Sequence, residues 1–209
     1  MNVALTVGDR PLRTVARSRR SGIRFGPGER DRVRRIASVA RWTELPVWSE
    51  GQNGPITDVL SGVAERINGW IVAEREPLTT ARPPDGTRYD ALANIALLRI
   101  PKELSRAEWL HNWQDRHTTV AIETQATFGY VQNTVVAAVT PGPRVDALVE
   151  ELFPMDALTD QHAFWGSGGD DAELQRRAGR MMAGVATFGA DRDLDVIPTS
   201  RYRYDLTAS

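Results

Sequence analysis

Apolar and polar positions follow two periods along this chain, and each period predicts one kind of element. Near the start, the runs 2–7 and 36–42 have the character of β-strands. Between 55 and 67, apolar residues recur at the spacing of one helical face, and Pro55 suits the first turn of a helix. The apolar run 70–73 has the length of a strand. The first part of the chain is therefore predicted to have the order ββαβ.

After residue 91 the pattern predicts four strands and two helices. Ser105 and Glu108 have the spacing of a capping box, which satisfies free amides at the start of a helix. Asp170 and Glu173 repeat that spacing ahead of an amphipathic helix. The predicted strands are 95–100, 128–139, 147–153 and 194–197. The resulting order, βαββαβ, is that of a ferredoxin-like domain.

These elements divide the chain into two halves of unequal length. The halves are 1–80 and 92–209, and a proline-rich connector, 81–91, joins them. The tetrapeptide 61–64 (SGVA) in the first helix resembles 183–186 (AGVA) in the last helix, and each precedes a terminal strand. On that alignment the first half lacks the β-α unit with which the second half opens. We therefore expect an incomplete ferredoxin-like half followed by a complete one.

The composition is that of an ordinary globular protein, and it excludes several kinds of site. Of the 209 residues, 41% are hydrophobic and 25% are charged, and the formal net charge is -1. Because the chain has no cysteine, disulfides and thiolate chemistry are excluded. No apolar stretch reaches the roughly 20 residues that a bilayer requires. We expect a cytoplasmic protein with neither a nucleic-acid nor a membrane partner.

Arginine is concentrated near the start of the chain. Between residues 10 and 41 arginines far outnumber acidic residues, so this segment could attract an anionic partner. The alternative is general arginine usage, because Lys102 is the only lysine in the chain. We favour the alternative.

Several segments of the second half resemble the EthD domain family. They are 104–110 (LSRAEWL), Trp113, 116–118 (RHT) and 123–133 (ETQATFGYVQN). The segments 150–153 (EELF) and 195–200 (DVIPTS) are similar to the longer bacterial members. The resemblance covers about 92–204 well and the first half only at its ends.

The resemblance implies an α+β fold of the dimeric α/β-barrel type. In that fold the sheets of two ferredoxin-like halves pair, within one chain or between subunits, so a homodimer is expected. The family is named for a component of an ether-degrading haem monooxygenase system, and its fungal relatives include decarboxylases and tailoring proteins for aromatic polyketides. It therefore implies a small apolar or aromatic molecule as the partner.

His117 is the first candidate catalytic residue. Imidazole titrates near neutral pH and acts as a general acid or base without a cofactor. Trp109, Trp113 and His117 are spaced one turn apart on one helical face, so a flat substrate could stack on Trp113 beside the imidazole at the rim of the barrel. The alternative is that His117 caps its helix or binds a backbone carbonyl.

Tyr130 is the second candidate catalytic residue. Phe128, Tyr130 and Gln132 share one face of a predicted strand. The Tyr130 hydroxyl could donate a hydrogen bond to a carbonyl or phenolate oxygen, with Phe128 and Gln132 in contact with the substrate. The alternative is an ordinary strand residue that packs its ring and binds water.

Glu150 and His162 complete the candidate substrate-binding residues. Alternation places Glu150 and Glu151 on opposite faces of their strand, so one of them is expected to point into the barrel as a proton acceptor. His162 precedes the segment 166–169 (GSGG), which could close over a pocket. The alternative for the two glutamates is an exposed strand edge, and the alternative for the segment after His162 is a simple loop. The three histidines lack zinc-like spacing, so no metal is expected.

Three functions follow from these candidates. The first is a small-molecule enzyme without an organic cofactor, in a degradative or oxidative tailoring pathway, in which His117 and Tyr130 act on an aromatic or apolar substrate. The second is a non-catalytic ligand-binding or accessory protein of a monooxygenase system. The third is haem binding through an axial histidine. We favour the first.

Overall fold

A computed structural model of this chain describes residues 2–7, 58, 61–62 and 67–203, with the backbone alone for 2–7. Asp58 and Ser61 are helical, as the sequence pattern predicts. The predicted strand 36–42, the arginine-rich segment and most of the predicted helix 55–67 lie outside the described residues.

Contacts divide the chain into two compact units. The first comprises Met1–Ala73, Val135–Pro143 and Asp205–Ser209, and the second comprises Glu74–Thr134 and Arg144–Tyr204. Within the first unit, strand β1 (Asn2–Val7) pairs antiparallel with the beginning of β2 (Ile67–Leu78). The candidate site described below lies entirely in the second unit.

The second unit contains β3, β5 and β6 with the parts 74–78 of β2 and 129–134 of β4, in the strand order β2-β4-β5-β3-β6. Strand β3 pairs antiparallel with both β5 and β6, and β5 pairs antiparallel with β4. Helices connect β3 to β4 and β5 to β6, so the chain order βαββαβ is that of a ferredoxin-like domain. The predicted α+β class is confirmed. These strands are β3 (Leu92–Leu98), β4 (Gly129–Ala138), β5 (Ala147–Phe153) and β6 (Leu194–Thr199).

The observed bounds of β2 and β3 differ from the predicted ones. Ile67 opens β2 instead of ending a helix, and β2 continues through Pro77 to Leu78, beyond the predicted strand 70–73. Pairing with β1 ends at Val72, so the missing N–H of Pro77 forfeits no hydrogen bond to that strand. Strand β3 ends at Leu98, before its predicted limit, and the amide of Ile100 donates to the carboxylate of Asp146 at 2.8 Å.

The first helical segment of the second unit begins with the predicted capping box. The Ser105 hydroxyl accepts from the amide of Glu108, and the Glu108 carboxylate accepts from the amide of Ser105. The segment consists of α1 (Arg106–Leu110), a π-helical stretch (His111–His117) and α2 (Thr118–Thr124). The sequence pattern predicts a continuous α-helix here, and it does not predict the π-helical stretch.

The second helical segment begins after β5. It contains a 3-10 turn (Met155–Leu158), the short helix α3 (Gln161–Trp165) and the long helix α4 (Asp171–Ala186). Asp170 caps α4, because its carboxylate accepts from the amides of Ala172 and Glu173. Among the described residues we find no helix whose length and apolar character would let it span a bilayer.

The hydrophobic core of the second unit lies between one sheet face and the helices. Apolar residues from α1, the π-helical stretch, α4, β4 and β5 contribute to it, together with Phe188 just beyond the end of α4. The largest side chains, Trp109, Trp113 and Tyr130, are almost completely buried. The buried members are Leu98, Trp109, Trp113, Ala121, Tyr130, Ala147, Val149, Val185, Phe188 and Ala190.

The cap of α4 provides a test of this arrangement. Asp170→Ala should lower the free energy of unfolding by about 1 kcal/mol, because two helical amides lose their acceptor. Asp171→Ala is the matched control, since the Asp171 side chain is 95% exposed and does not cap the helix. Urea unfolding of both variants measures the difference. Equal losses in the two variants would show that the cap does not stabilise α4.

Candidate functional site

The candidate site is the layer between the helices and the sheet of the second unit, which we call the helix–sheet layer. Tyr130 and Gln132 of β4 point into it, and Trp113 of the π-helical stretch packs over them. The rings of Trp109 and Trp113 lie 5.0 Å apart at an angle of 39°. Aromatic surfaces and polar groups therefore meet in one buried layer.

The π-helical stretch sets which side chains reach this layer. Trp113 and His117 are both buried, and so is Thr118, the next residue along the chain. His117 and Thr118 lie four and five positions after Trp113. The wider turn of a π-helix directs both of them to the side of Trp113, whereas an α-helix would direct only the first there. Short π-helical turns occur frequently at functional sites.

A chain of hydrogen bonds crosses the layer. The Thr118 hydroxyl donates to the carbonyl oxygen of Gln114 at 2.7 Å. The Gln132 amide nitrogen donates to the Thr118 hydroxyl at 2.9 Å and to the Tyr130 hydroxyl at 3.4 Å. The indole of Trp113 lies close enough to the Tyr130 hydroxyl to lower the pKa of Tyr130, as a hydrogen-bond donor would. The exposed guanidinium of Arg75 donates to the same Gln114 carbonyl at 3.2 Å, so the chain extends to solvent.

Several polar atoms in this region have no hydrogen-bond partner among the described residues. They are Trp109 Nε1, His117 Nδ1, Gln132 Oε1 and, in the segment after α2, Gln125 Oε1. Most buried polar atoms in proteins have a partner, so an accumulation of exceptions requires an explanation. The layer therefore contains more buried polar groups than a core that served stability alone would be expected to contain.

His117 lies beneath α4. Its ring centroid is 4.8 Å from that of Phe188, and only 4% of the residue is exposed. A Cβ atom at Gly184 would lie 2.7 Å from His117 Nδ1, so the absence of a side chain at Gly184 admits the imidazole. Burial lowers the pKa of His117 to about 4, so it is neutral at pH 7.

Glu151 lies opposite Tyr130 in the pairing of β5 with β4. Residues opposite each other in antiparallel strands share a sheet face, so this carboxyl group borders the helix–sheet layer. Burial raises the pKa of Glu151 to about 7. Burial, followed by the charge of Glu151, raises the pKa of Tyr130. The pair therefore combines a carboxyl group that titrates near neutral pH with a phenol that stays protonated.

Glu150 lies on the opposite face of the same sheet, as alternation predicts. Its carboxylate pairs with the Arg201 guanidinium, with 3.4 Å between Oε1 and Nε. Arg201 also stacks on the ring of Tyr89, with 4.8 Å from Cζ to the centroid. Burial raises the pKa of Glu150, Arg201 opposes the shift, and the charges of Glu74 and Glu76 add to it.

Phe128 and His162 lie apart from the hydrogen-bond chain. Phe128 precedes β4 and is 37% exposed. His162 belongs to α3, where its Nδ1 lies 2.6 Å from the Ser167 hydroxyl and its Nε2 lies 3.4 Å from the Asp171 carboxylate. The sequence-based candidates Tyr130 and Gln132 are thus joined by a hydrogen bond, Trp113 packs over them, and His117 is adjacent to Thr118 of the same chain.

Sequence reasoning did not assign Thr118, Gln114 or Arg201 to a site, and it named Glu150 and not Glu151 as a substrate-binding residue. Glu151 could be found only from the register of β4 against β5, which alternation within one strand does not reveal. Thr118 could be found only from the π-helical geometry. Among the described residues, no group of three His, Cys, Asp or Glu side chains could hold a metal ion.

The fold and this layer define an α+β protein with a ferredoxin-like second unit and a polar, aromatic helix–sheet interior. No protein-family model matches the sequence, and no curated protein matches it. Among solved structures, an anthrone oxidase-like protein has a similar fold, with a TM-score of 0.50 and 9% sequence identity. The alignment covers 100% of this chain and 94% of that chain. At this identity the similarity shows the fold alone.

The contact between His117 and Gly184 can be tested by adding one methyl group. Gly184→Ala should lower the free energy of unfolding by about 1–3 kcal/mol, because the new Cβ would press on the imidazole. Gly179→Ala is the matched control in the same helix: its Cβ would meet nothing within 4 Å. This control should gain about 0.5–1 kcal/mol from helix propensity. Stabilisation of both variants in urea unfolding would contradict the close contact.

The burial of His117 also predicts a pH dependence of stability. Its pKa is lowered in the folded state, so the stabilisation is complete above the unfolded-state pKa of 6.5 and is lost as pH falls towards 4. The loss should be about 3 kcal/mol. Urea unfolding of His117→Leu between pH 7 and pH 4 should show a shallower decline than the parent. His111→Asn is the control, because the His111 side chain lies on the same π-helical stretch but is 55% exposed. Identical slopes for the parent and His117→Leu would refute buried neutral His117.

Proposed function

We propose that this chain is an EthD-like small-molecule enzyme that uses protein side chains, without an organic cofactor, on an oxygenated aromatic substrate. The observation that carries the proposal is the pairing of Glu151 with Tyr130 at the border of the helix–sheet layer. A general acid or base works best when its pKa is near the working pH, and the pKa of Glu151 is about 7.

The roles in this proposal differ in one respect from the sequence-based hypothesis. Glu151 is the proton acceptor, because it is partly exposed and titrates near neutral pH. His117 is almost fully buried, and its lowered pKa makes it a weaker base. Tyr130 keeps the predicted role of orienting a substrate oxygen. His117 then serves to seat α4 against the π-helical stretch.

The aromatic walls of the layer support an aromatic substrate, since flat rings stack favourably on Trp and Tyr side chains. The similar solved structure is that of a protein named as anthrone oxidase-like, which is consistent with a tailoring reaction on such a compound. Removal of a proton from an oxygenated aromatic compound gives an electron-rich anion. An oxidative outcome would require dioxygen as the acceptor of its electrons.

Close packing of the layer supports a second candidate function, a ligand-binding or accessory protein without turnover. Trp109 and Gln132 are completely buried, so a substrate must enter from the part-exposed side at Glu151 or displace a helix. Haem is less suited to this layer, because His117 is almost completely buried and its ring packs on Phe188.

Glu151→Gln should separate the two functions. With polycyclic phenols and aryl ketones as substrates in air, this variant should lower kcat by about 100-fold or more, because general-base catalysis is lost. Its KM should change little. Glu123→Gln, which alters an exposed carboxylate on α2, is the control. Absorbance and oxygen uptake measure turnover. Binding of these compounds to the parent without any turnover would favour the accessory function.

Stability provides an internal check on the same variant. The raised pKa of Glu151 gives stability that is complete below the unfolded-state pKa of 4.5 and is lost as pH rises through about 7. Glu151→Gln should therefore be more stable than the parent at pH 8, by up to about 3 kcal/mol before solvent screening, and this advantage should vanish near pH 4.5. No advantage at pH 8 would mean that Glu151 is not desolvated.

A further inference from the structure

We propose that Trp113 and Gln132 fix Tyr130 as a hydrogen-bond donor, so that the ligand group at Tyr130 is a carbonyl oxygen whose enolate forms when Glu151 removes a proton. For its ligand, this inference rests on the proposed function. For the direction of the Tyr130 hydroxyl, it rests on the hydrogen-bond chain alone.

The chain of hydrogen bonds begins at a backbone carbonyl oxygen, which cannot act as a donor. The backbone carbonyl of Gln114 can only accept, so the Thr118 hydroxyl at 2.7 Å must donate its single proton to it. Another carbonyl, that of Trp113, lies farther away, at 3.5 Å. The Thr118 oxygen can then only accept from its remaining neighbour in the layer.

That neighbour is the side-chain amide of Gln132. Because Thr118 must accept, the amide group facing it at 2.9 Å must be the nitrogen and not the oxygen. The orientation of the Gln132 amide is thus determined by the Gln114 backbone carbonyl, which is two hydrogen bonds away. The second N–H of the same nitrogen faces the Tyr130 hydroxyl at 3.4 Å.

Trp113 supplies a second donor to the same oxygen. An indole N–H can only donate, and Trp113 lowers the pKa of Tyr130 as a donor directed at the phenol oxygen would. The Tyr130 oxygen therefore accepts from Trp113 and from Gln132, and what remains is its own O–H. Any third partner of Tyr130 must be an acceptor.

Glu151 and a ligand oxygen are the acceptors that this arrangement suits. Glu151 lies opposite Tyr130, on the same sheet face. A carbonyl oxygen fits the Tyr130 donor, whereas an ammonium or amide N–H group would face another donor. The site should therefore prefer aryl ketones to the corresponding amines.

The same arrangement suits one chemical step. The Glu151 carboxylate takes a proton from a carbon activated by the carbonyl group, and the electrons of the broken C–H bond form a carbon–carbon double bond. The carbonyl π electrons move to the oxygen, where the Tyr130 O–H stabilises the developing charge. Donors placed at such an oxygen are typically worth about 100- to 1000-fold in rate. The step needs no oxidant.

The experiment measures this step without oxidation. Anthrone is incubated with the protein in oxygen-free D2O, and exchange of its acidic methylene protons is followed by NMR above the uncatalysed rate. Tyr130→Phe should reduce the enzymatic rate by roughly 100-fold or more. Gln132→Met should reduce it by about tenfold, since one directing donor is lost while the side-chain volume is retained.

A tryptophan analogue gives the sharpest comparison. Benzothienylalanine has the shape of tryptophan but no N–H. At position 113 it should reduce the exchange rate by roughly tenfold, mainly in kcat, because the Tyr130 hydroxyl is free to turn. At position 165, in α3 and outside the helix–sheet layer, it should leave the rate unchanged. Equal rates for the position 113 variant and the parent would overturn the inference while leaving the acid–base function intact.

A ligand-free measurement separates the two proposals. Neutron diffraction of the deuterated protein should place deuterium on Trp113 Nε1 and Gln132 Nε2, both directed at the Tyr130 oxygen, with the Tyr130 deuterium directed away from both. A Tyr130 deuterium pointing at Gln132 would overturn the inference, whatever the exchange experiment gives. Correct deuterium positions with no binding or exchange of anthrone would confirm the directing chain and refute both the proposed function and the carbonyl ligand.

Discussion

The hydrogen bond from the Thr118 hydroxyl to the Gln114 carbonyl is the interaction on which the account of this site depends. It determines the orientation of the Gln132 amide, which in turn limits what the Tyr130 hydroxyl can do. The Thr118, Gln132 and Tyr130 side chains are buried, so water is not available there to reverse a donor or an acceptor at low cost. A polar chain inside a core therefore acquires a fixed direction from a single backbone carbonyl.

The sheet separates two carboxyl groups that are adjacent in the sequence. Glu150 meets Arg201 on one face, and Glu151 borders the aromatic helix–sheet layer on the other. Only Glu150 has a cation beside it to oppose the effect of burial. Burial is the one cause of the raised pKa of Glu151, and it places this pKa in the range useful for proton transfer at neutral pH. Position relative to the sheet, and not residue type, distinguishes the two groups.

Local signals in the sequence were sufficient for most of the second unit. The Ser105–Glu108 pair marks the start of a helix, Asp170 marks another, and alternation separates Glu150 from Glu151. The partner of Glu151 depends on the register between β4 and β5, which is a long-range property that no single strand encodes. The π-helical stretch is similarly hidden, because its residues have ordinary helical spacing. The sequence therefore predicts the elements and several residues of the helix–sheet layer, but not the strand register and hydrogen bonds that join these residues.

The central claim is that Glu151 titrates near neutral pH beside a protonated Tyr130. The most direct measurement is the carbon NMR shift of the Glu151 side-chain carboxyl group as a function of pH, assigned with the Glu151→Gln variant. The account predicts a midpoint near the pKa of about 7 that burial gives this group. A midpoint at the ordinary value of 4.5 would contradict it, because the carboxylate would then be solvated and too weak a base for the proposed role.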